Sequence, residues 1–501
     1  MRIGSDYAAG VVIQSQGQAF RKDGTLYLAA PGTTLPYTLT GIWANEESKF
    51  SAVGAGGDTL PTDGAIGQVL VKTSETEYGW RNPPPSTKTL NITNVFTKNP
   101  FGRLRPLTPL ANTTTVQTIM EFNADFVGVR VGIPNVTAAA QAGVKVSIAV
   151  TNELKIGHWY SHPYSDGGWF RNLTWFDCGH GSPDGTSVTL PPRIAPERQS
   201  VTYSDLIGIT SIPRVEEGKT KPLLMIRIEF PAGTTMSCPY TGFYNWRLDG
   251  EHPTMRVSKQ EVAGVTTPSN YTTTTSIDDE ACIPIVQYIS PREGHQIMLV
   301  GDSTTEGLGG IVRDYGAIQA ASNQLSTKEY PIEYYNCGLH AQGPQVYSNQ
   351  FNDYVDEVLP SIVFYQPYSI NDTPNGGMNL STYSNLYMSL SRVMRQAKDK
   401  GRGAMIFLLE GLPCNTNFRD TGAGDQLRRD LNVWLQTFTG AFTIPGYAAA
   451  ISGEQDVDGQ TLIADGMTDD GVHPNGAGYD AMAQVIKPYI KELLPIVEPA
   501  E

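Results

Sequence analysis

Apolar and polar residues alternate in short runs through the first half of the chain, and the rhythm changes after about residue 292. Thr25-Leu26-Tyr27-Leu28 and Tyr37-Thr38-Leu39-Thr40 repeat with a period of two, the mark of a half-buried strand. This Gly- and Thr-rich opening, residues 1–85, ends in Pro83-Pro84-Pro85, a stiff extended linker. Short strands and turns are expected there, not long helices. From 88 to 288 the texture stays β. Val127–Ile133, Val144–Val150, Leu223–Phe230 and Ile285–Ile289 are candidate strands, punctuated by Pro, Gly, Thr and Asn. Some 200 residues of this kind predict a β-sandwich.

Beyond 292, short apolar runs alternate with helical patterns. The runs are Ile297–Val300, Tyr334–Cys337, Ile362–Tyr365, Ala404–Leu409 and, more weakly, Phe442–Ile444. Leu386, Leu390, Val393, Met394 and Ala397 fall on one helical face, and Tyr479, Met482, Val485, Ile486, Tyr489, Ile490 and Leu493 repeat the pattern. Strands alternating with helices predict a parallel sheet covered on both faces, a doubly wound α/β domain over 292–497.

Composition narrows the class. A length of 501 residues suits about three domains. Charged residues make up 17%, below the usual value of about 25%. With 51 Gly and 34 Pro beside an ordinary apolar share, neither disorder nor a long coiled coil is expected. The net charge of −14 comes with no Lys/Arg cluster, so a nucleic-acid partner is not expected. No apolar run approaches the ~18 residues of a membrane span. Ala8–Ile13 is too brief for a secretory signal, so the chain is expected to stay in the cell that makes it or to leave by lysis or assembly. Cys178, Cys238, Cys282, Cys337 and Cys414 are odd in number, scattered and without a CxxC. Free thiols made in a reducing compartment are expected, not a disulfide framework.

Candidate chemistry gathers at strand ends. Val300-Gly301-Asp302-Ser303 runs from a strand into a turn, where open parallel sheets bind ligands, and a Ser there becomes a nucleophile if a base reaches it. Asp470-Gly471-Val472-His473-Pro474 offers a general base with a carboxylate three residues upstream to fix its tautomer. Gly338 and Asn371 follow the second and third strands, and a backbone N–H and a side-chain amide are the donors an acyl-transfer oxyanion needs. Singly, each is also an ordinary turn residue.

In order, these four blocks resemble the SGNH (GDSL-type) hydrolase family over residues 292–497. The resemblance implies a doubly wound, flavodoxin-like fold with Ser303 as nucleophile, His473 as base and Asp470 orienting it. It implies an oxyanion hole of Ser303 N–H, Gly338 N–H and the Asn371 side chain, ester substrates that are often O-acetyl groups on carbohydrate, and no cofactor or metal. Family members usually carry Gly two residues before the oxyanion Asn, where Ser369 stands, and a second glycine in the Gly338 block, where Ala341 stands. Asp469 is a second carboxylate beside Asp470, though spacing favours Asp470.

Thr34-Leu35-Pro36-Tyr37-Thr38-Leu39-Thr40-Gly41 with Trp43, and Gly67-Gln68-Val69-Leu70-Val71-Lys72-Thr73 ending at Trp80, resemble segments of bacteriophage tail-spike and tail-fibre proteins. That resemblance implies a virion-attached homotrimer held to other tail or baseplate proteins through its N-terminal region. Such a protein acts outside the host bacterium on capsule or O-antigen polysaccharide, with no membrane insertion. Together the two resemblances imply a tail-spike polysaccharide O-deacetylase. The alternative is a non-catalytic adhesin whose hydrolase-like domain only holds glycan. An intracellular esterase or lipase leaves the first 85 residues unexplained.

The middle region holds two further clusters. His158, His162, Cys178 and His180 could ligate zinc, but their spacing matches no closed-site pattern well. Trp159, Trp169 and Trp175, with neighbouring Tyr and Phe, could stack on sugar rings of a carbohydrate-binding accessory domain; packing of a β core accounts for the same residues.

Overall fold

The computed structural model describes residues 2–6, 12–13, 18–22, 25–29, 34, 37–40, 48, 50–52, 69–72, 78–81, 93–100, 102, 104–150, 174–180, 187–195, 199–208, 223–239, 255–260, 281–309, 315–327, 329–372, 380–399, 404–415, 422–436, 438, 441–456 and 459–494. They fall into two compact units, Met1–Thr89 and Leu90–Glu501. In the first, Phe50–Ala52, Thr25–Ala29, Gln18–Lys22, Arg2–Asp6, Val69–Lys72 and Tyr78–Arg81 lie side by side in one sheet. The alternating stretch around Tyr27 is thus a strand, as its pattern requires.

The second unit opens with antiparallel strands. Thr174–Asp177, Gln141–Val150, Leu223–Phe230, Thr114–Glu121 and Met255–Gln260 form one sheet in that order. Thr93–Lys98, Gly128–Asn135 and Ser200–Tyr203 belong to another, built around the long strand β1 (Ile285–Gly301). Val116, Ile148 and Ile226 from the first sheet share one core with Phe96, Val131, Val286 and Tyr288 from the second. The Phe122 ring meets Tyr288 edge-on at 5.1 Å, a favoured aromatic geometry.

β1 crosses the boundary that composition places between 288 and 292. Ser290-Pro291-Arg292-Glu293-Gly294 reads as a turn, yet the strand passes through it with a register irregularity between Ile289 and Gly294. Pro291, Arg292 and Glu293 are its exposed residues, and a bulge tolerates proline inside a strand. Gly294 is there for closeness, since a Cβ would fall 1.9 Å from the Pro331 carbonyl oxygen. The β-rich region and the α/β region share this strand and lie in one compact unit.

Past the bulge, β1 pairs in parallel with β2 (Ile332–Gly338) and β3 (Ile362–Tyr365). β3 is followed outward by β4 (Met405–Leu409) and β5 (Phe442–Ile444). The order 2-1-3-4-5 is that of doubly wound, flavodoxin-like sheets, which bind ligands where the strand order reverses. A single turn of helix, α1 (Ser303–Glu306), follows β1 at this point. Alternate side chains of β1 point to opposite faces. Ile297 and Leu299 pack with α2 (Ala317–Leu325) and α6 (Gly476–Lys491). Met298 and Val300 pack with α3 (Pro344–Val358), α4 (Leu380–Asp399) and α5 (Gly422–Gln436). Buried Leu390, Val393 and Ala397 on α4 and Tyr479, Met482 and Ile486 on α6 are the faces read from their spacing.

A buried ion pair ties the β-rich region to this sheet. Lys98 Nζ lies 3.3 Å from Glu333 Oε1, and both side chains are essentially without exposure. Glu333 Oε2 accepts the Tyr288 hydroxyl at 2.8 Å and the Asn123 N–H at 3.2 Å, while Lys98 Nζ sits 4.7 Å from the Tyr334 ring centre. The five cysteines are buried and none is in a disulfide. Among the described residues no helix is long and apolar enough to cross a membrane.

Two predictions follow from these burials. Removing one partner of a buried pair strands the other charge, so Glu333→Ala should cost about 3–5 kcal/mol. Pairing it with Lys98→Met should recover most of that loss in chemical denaturation; an additive double variant would show that the pair is not coupled. His295 is fully buried at the start of the parallel half, with Nδ1 3.0 Å from Ser361 Oγ, and burial lowers its pKa to about 4. The folded state therefore resists a proton that the unfolded chain accepts. Stability is complete above the ordinary His value near 6.5 and drains as pH falls towards 4, by about 3 kcal/mol in all. His295→Gln should flatten the shift in denaturation midpoint between pH 7 and 4.5, and an unchanged shift would assign it to other groups.

Candidate active site

The turn after β1 is built around one buried carboxylate. Gly301 leaves no room for a side chain, because a Cβ would lie 2.0 Å from Thr305 Oγ1. Asp302, 1% exposed, caps α1. Its Oδ1 accepts the Thr304 N–H at 2.9 Å and the Thr304 hydroxyl at 2.8 Å. Its Oδ2 accepts Gln366 Nε2 at 3.1 Å and the Ser369 hydroxyl at 2.6 Å. Ser303 is thereby held at the first position of α1, where backbone N–H groups have no acceptor inside the helix.

The loop before α6 brings the base to it. His473 Nε2 is 2.9 Å from Ser303 Oγ, and His473 Nδ1 is 2.6 Å from Asp470 Oδ2. Asp470 Oδ1 also accepts the backbone N–H groups of Val472 and His473, each at 2.8 Å. Burial alone would raise its pKa, but the His473 side chain and these two N–H groups outweigh it and hold the carboxyl far below the usual range. Asp470 thus stays ionised, and its contribution to stability is lost only as pH falls below the ordinary carboxylate value. Asp469 points elsewhere, accepting from Asn475 Nδ2 at 3.1 Å. Between the two acidic residues of the loop, Asp470 is the one on the imidazole.

The expected oxyanion donors divide. Asn371 follows β3 in a short 3-10 turn, Ile370–Asp372, and its Nδ2 reaches Ser369 Oγ at 3.0 Å and the Gln342 carbonyl at 3.2 Å. Gly338 is a correction. Its N–H donates to Asn336 Oδ1 at 2.8 Å, so it is not open to a substrate. Its lack of a side chain serves packing, since a Cβ would lie 2.4 Å from the Glu306 backbone nitrogen in α1. The turn beyond it carries Ala341 at φ 56°, a left-handed conformation that a glycine adopts more easily. The missing second glycine of this block therefore leaves the backbone shape in place. Gln366, which ties β3 to the turn carrying Ser303, escaped the sequence reading; a polar Gln at the end of an apolar run was the available signal.

Comparison with known proteins finds one family match. Residues 299–481 match the model of the GDSL-like lipase/acylhydrolase family. Over this stretch the chain is similar to GDSL-like hydrolases and has their α/β fold. Similar solved structures include a GDSL-like lipase from Bacteroides thetaiotaomicron (20% identity, covering 40% of this chain and 89% of that one, TM-score 0.31). Others are the psychrotrophic esterase EstA from Pseudoalteromonas sp. (15%, 40% and 98%, 0.31) and the lipase/acylhydrolase from Enterococcus faecalis (16%, 41% and 99%, 0.31). No curated protein matches the chain.

Within the matched stretch, Tyr479 is a further tie between the two halves of the site. From the first turn of α6, its buried hydroxyl reaches the carbonyls of Thr304 at 3.0 Å and Leu308 at 2.8 Å. It joins the helix that follows His473 to the helix that carries Ser303. The other sequence candidates lie apart from this site. Trp159, Trp169, His158 and His162 fall outside the described residues. Trp175 is in the strand Thr174–Asp177, beside Phe176, which packs on the β core. Cys178 is buried in that core, and no group of three or more His, Cys, Asp or Glu among the described residues could hold a metal.

Tyr479→Phe should leave two helix-end carbonyls of the nucleophile segment short of a donor, at a cost of about 1–2 kcal/mol. The same variant should lose turnover of a chromogenic acetate ester beyond what its stability explains, because Ser303 and His473 are then less firmly registered. A variant with the stability loss but full turnover would make Tyr479 a packing residue only.

Proposed function

We propose that this chain is a serine esterase that removes O-acetyl groups from bacterial surface polysaccharide, acting as a phage tail spike during host recognition. The observation that carries the chemistry is the unbroken run Ser303 Oγ, His473 Nε2, His473 Nδ1 and Asp470 Oδ2, with separations of 2.9 and 2.6 Å. Lipases and acylhydrolases cleave acyl esters, and the family match over 299–481 supports that reaction here.

The steps follow from the geometry. Ser303 Oγ attacks the acyl carbonyl carbon while His473 Nε2 takes the hydroxyl proton. Ionised Asp470 stabilises the imidazolium that forms. Negative charge gathers on the carbonyl oxygen, where the Ser303 N–H and Asn371 Nδ2 are the donors. The tetrahedral species collapses, the bond to the sugar oxygen breaks, and His473 returns its proton to that oxygen. Water then attacks the acyl-serine, again losing its proton to His473, and acetate leaves with Ser303 restored.

The polysaccharide substrate and the virion setting rest on the tail-spike resemblance of the segments around Thr34–Gly41 and Gly67–Thr73. On that reading the chain is a homotrimer attached through residues 1–85, and the β-rich region presents glycan to the esterase site. The test is acetate release from O-acetylated capsule or O-antigen, with a small activated acetate ester in parallel. Wild type should release acetate from the glycan, and Ser303→Ala should lower that rate at least 10³-fold, in the range lost when a catalytic serine is removed. Glycan binding with no cleavage of either substrate would make the protein an adhesin. Preference for long-chain lipid esters would overturn the polysaccharide reading while leaving the esterase intact.

A further inference from the structure

We infer that Ser369 is the positioning residue that fixes which way the Asn371 amide faces; this rests on the esterase reading above. Ser369 stands where the family usually has glycine, and it is fully buried. Its hydroxyl is 2.6 Å from Asp302 Oδ2. A carboxylate can only accept, so the single hydroxyl proton must point to Asp302, and the Ser369 oxygen is left with two acceptor sites. Both face Asn371: its backbone N–H at 3.2 Å and its Nδ2 at 3.0 Å.

The direction of this chain has a chemical consequence. With the hydroxyl proton committed to Asp302, the Ser369 oxygen can meet only a donor, so Asn371 must turn its NH2 group inward rather than its carbonyl oxygen. One amide hydrogen is held by Ser369. The other, shared with the exposed-side Gln342 carbonyl at 3.2 Å, is the one a substrate oxyanion takes over. The flipped amide would set a carbonyl oxygen against developing negative charge. The carboxylate that caps the nucleophile's helix thus also selects the donor state of the oxyanion amide, through one hydroxyl. A backbone glycine at 369 supplies no such relay.

The test uses the full-length protein with Ser369→Ala, Asn371→Ala and the double variant. Two readouts are needed: turnover of a small activated acetate ester, and the rate at which a fluorophosphonate labels Ser303. Ser369→Ala should lower kcat about tenfold with KM nearly unchanged, and slow labelling by a similar factor, while the melting temperature moves little. Asn371→Ala should lose about 10²–10³-fold, as for other oxyanion-hole side chains. The double variant should be no worse than Asn371→Ala, because Ser369 acts only through that amide. Should Ser369→Ala fold poorly, Ser369→Gly makes the same deletion with the residue usual in the family and should show the same kcat loss. Unchanged kcat in a folded Ser369 variant, or losses that multiply in the double variant, would overturn the inference and leave the esterase standing. A wild type that neither turns over esters nor takes the label would overturn the esterase reading and this inference with it.

Discussion

Asp302 is a carboxylate taken almost wholly out of water, and an ion so placed must have its acceptor sites met by the protein. Thr304, Gln366 and Ser369 meet them. Satisfying that one group fixes three things at once. The Thr304 N–H bond starts α1 directly at Ser303. The Gln366 bond holds the end of β3 against the turn that carries Ser303. The Ser369 bond carries the constraint on to Asn371. Asp302 is therefore an organiser: it sets where Ser303 and Asn371 stand.

The same logic operates on a larger scale where the β-rich region meets the parallel sheet. Glu333 on β2 is buried, and its partners Lys98, Tyr288 and Asn123 all come from the β-rich side or the antiparallel half of β1. β1 is covalently common to both, so neither region completes its sheet alone. Its far end is Gly301, one residue before Asp302. Asn336, also on β2, donates its N–H to the Asn99 carbonyl and its side-chain amide to the carbonyls of Pro100 and Glu306, linking the β-rich strand to the last residue of α1.

Much of this was legible in the sequence because the parallel strands are short, uninterrupted apolar runs. Buried strands with helices on both faces must be apolar on both sides, and Ile297–Val300 and Ile362–Tyr365 show it. Ser303, Asp470 and His473 stood out only together, because four blocks that are singly ordinary turn or loop residues occur in the family's order. What was missed has a common cause: a residue type that serves two purposes. Pro291 and Gly294 end the alternating pattern, yet they are a bulge and a close approach inside one strand. Gly338 looks like a backbone donor and is a packing glycine whose N–H is taken by Asn336. α2 escaped notice because Ala, Ser and Gln make a weak apolar stripe, although nearly all of the helix is buried. Ser369 read as a departure from the family pattern; only its distance to Asp302 shows what the hydroxyl does.

The central claim is that Ser303 becomes acylated during turnover, and the most direct measurement is to catch that state. The protein would be acid-quenched while it turns over an excess of activated acetate ester, digested, and its peptides weighed. One acetyl group on the peptide that holds Ser303, absent from the His473→Ala protein treated in the same way, is the predicted result. Turnover with the Ser303 peptide unmodified at every quench time, or with acetyl on another residue, would contradict the account.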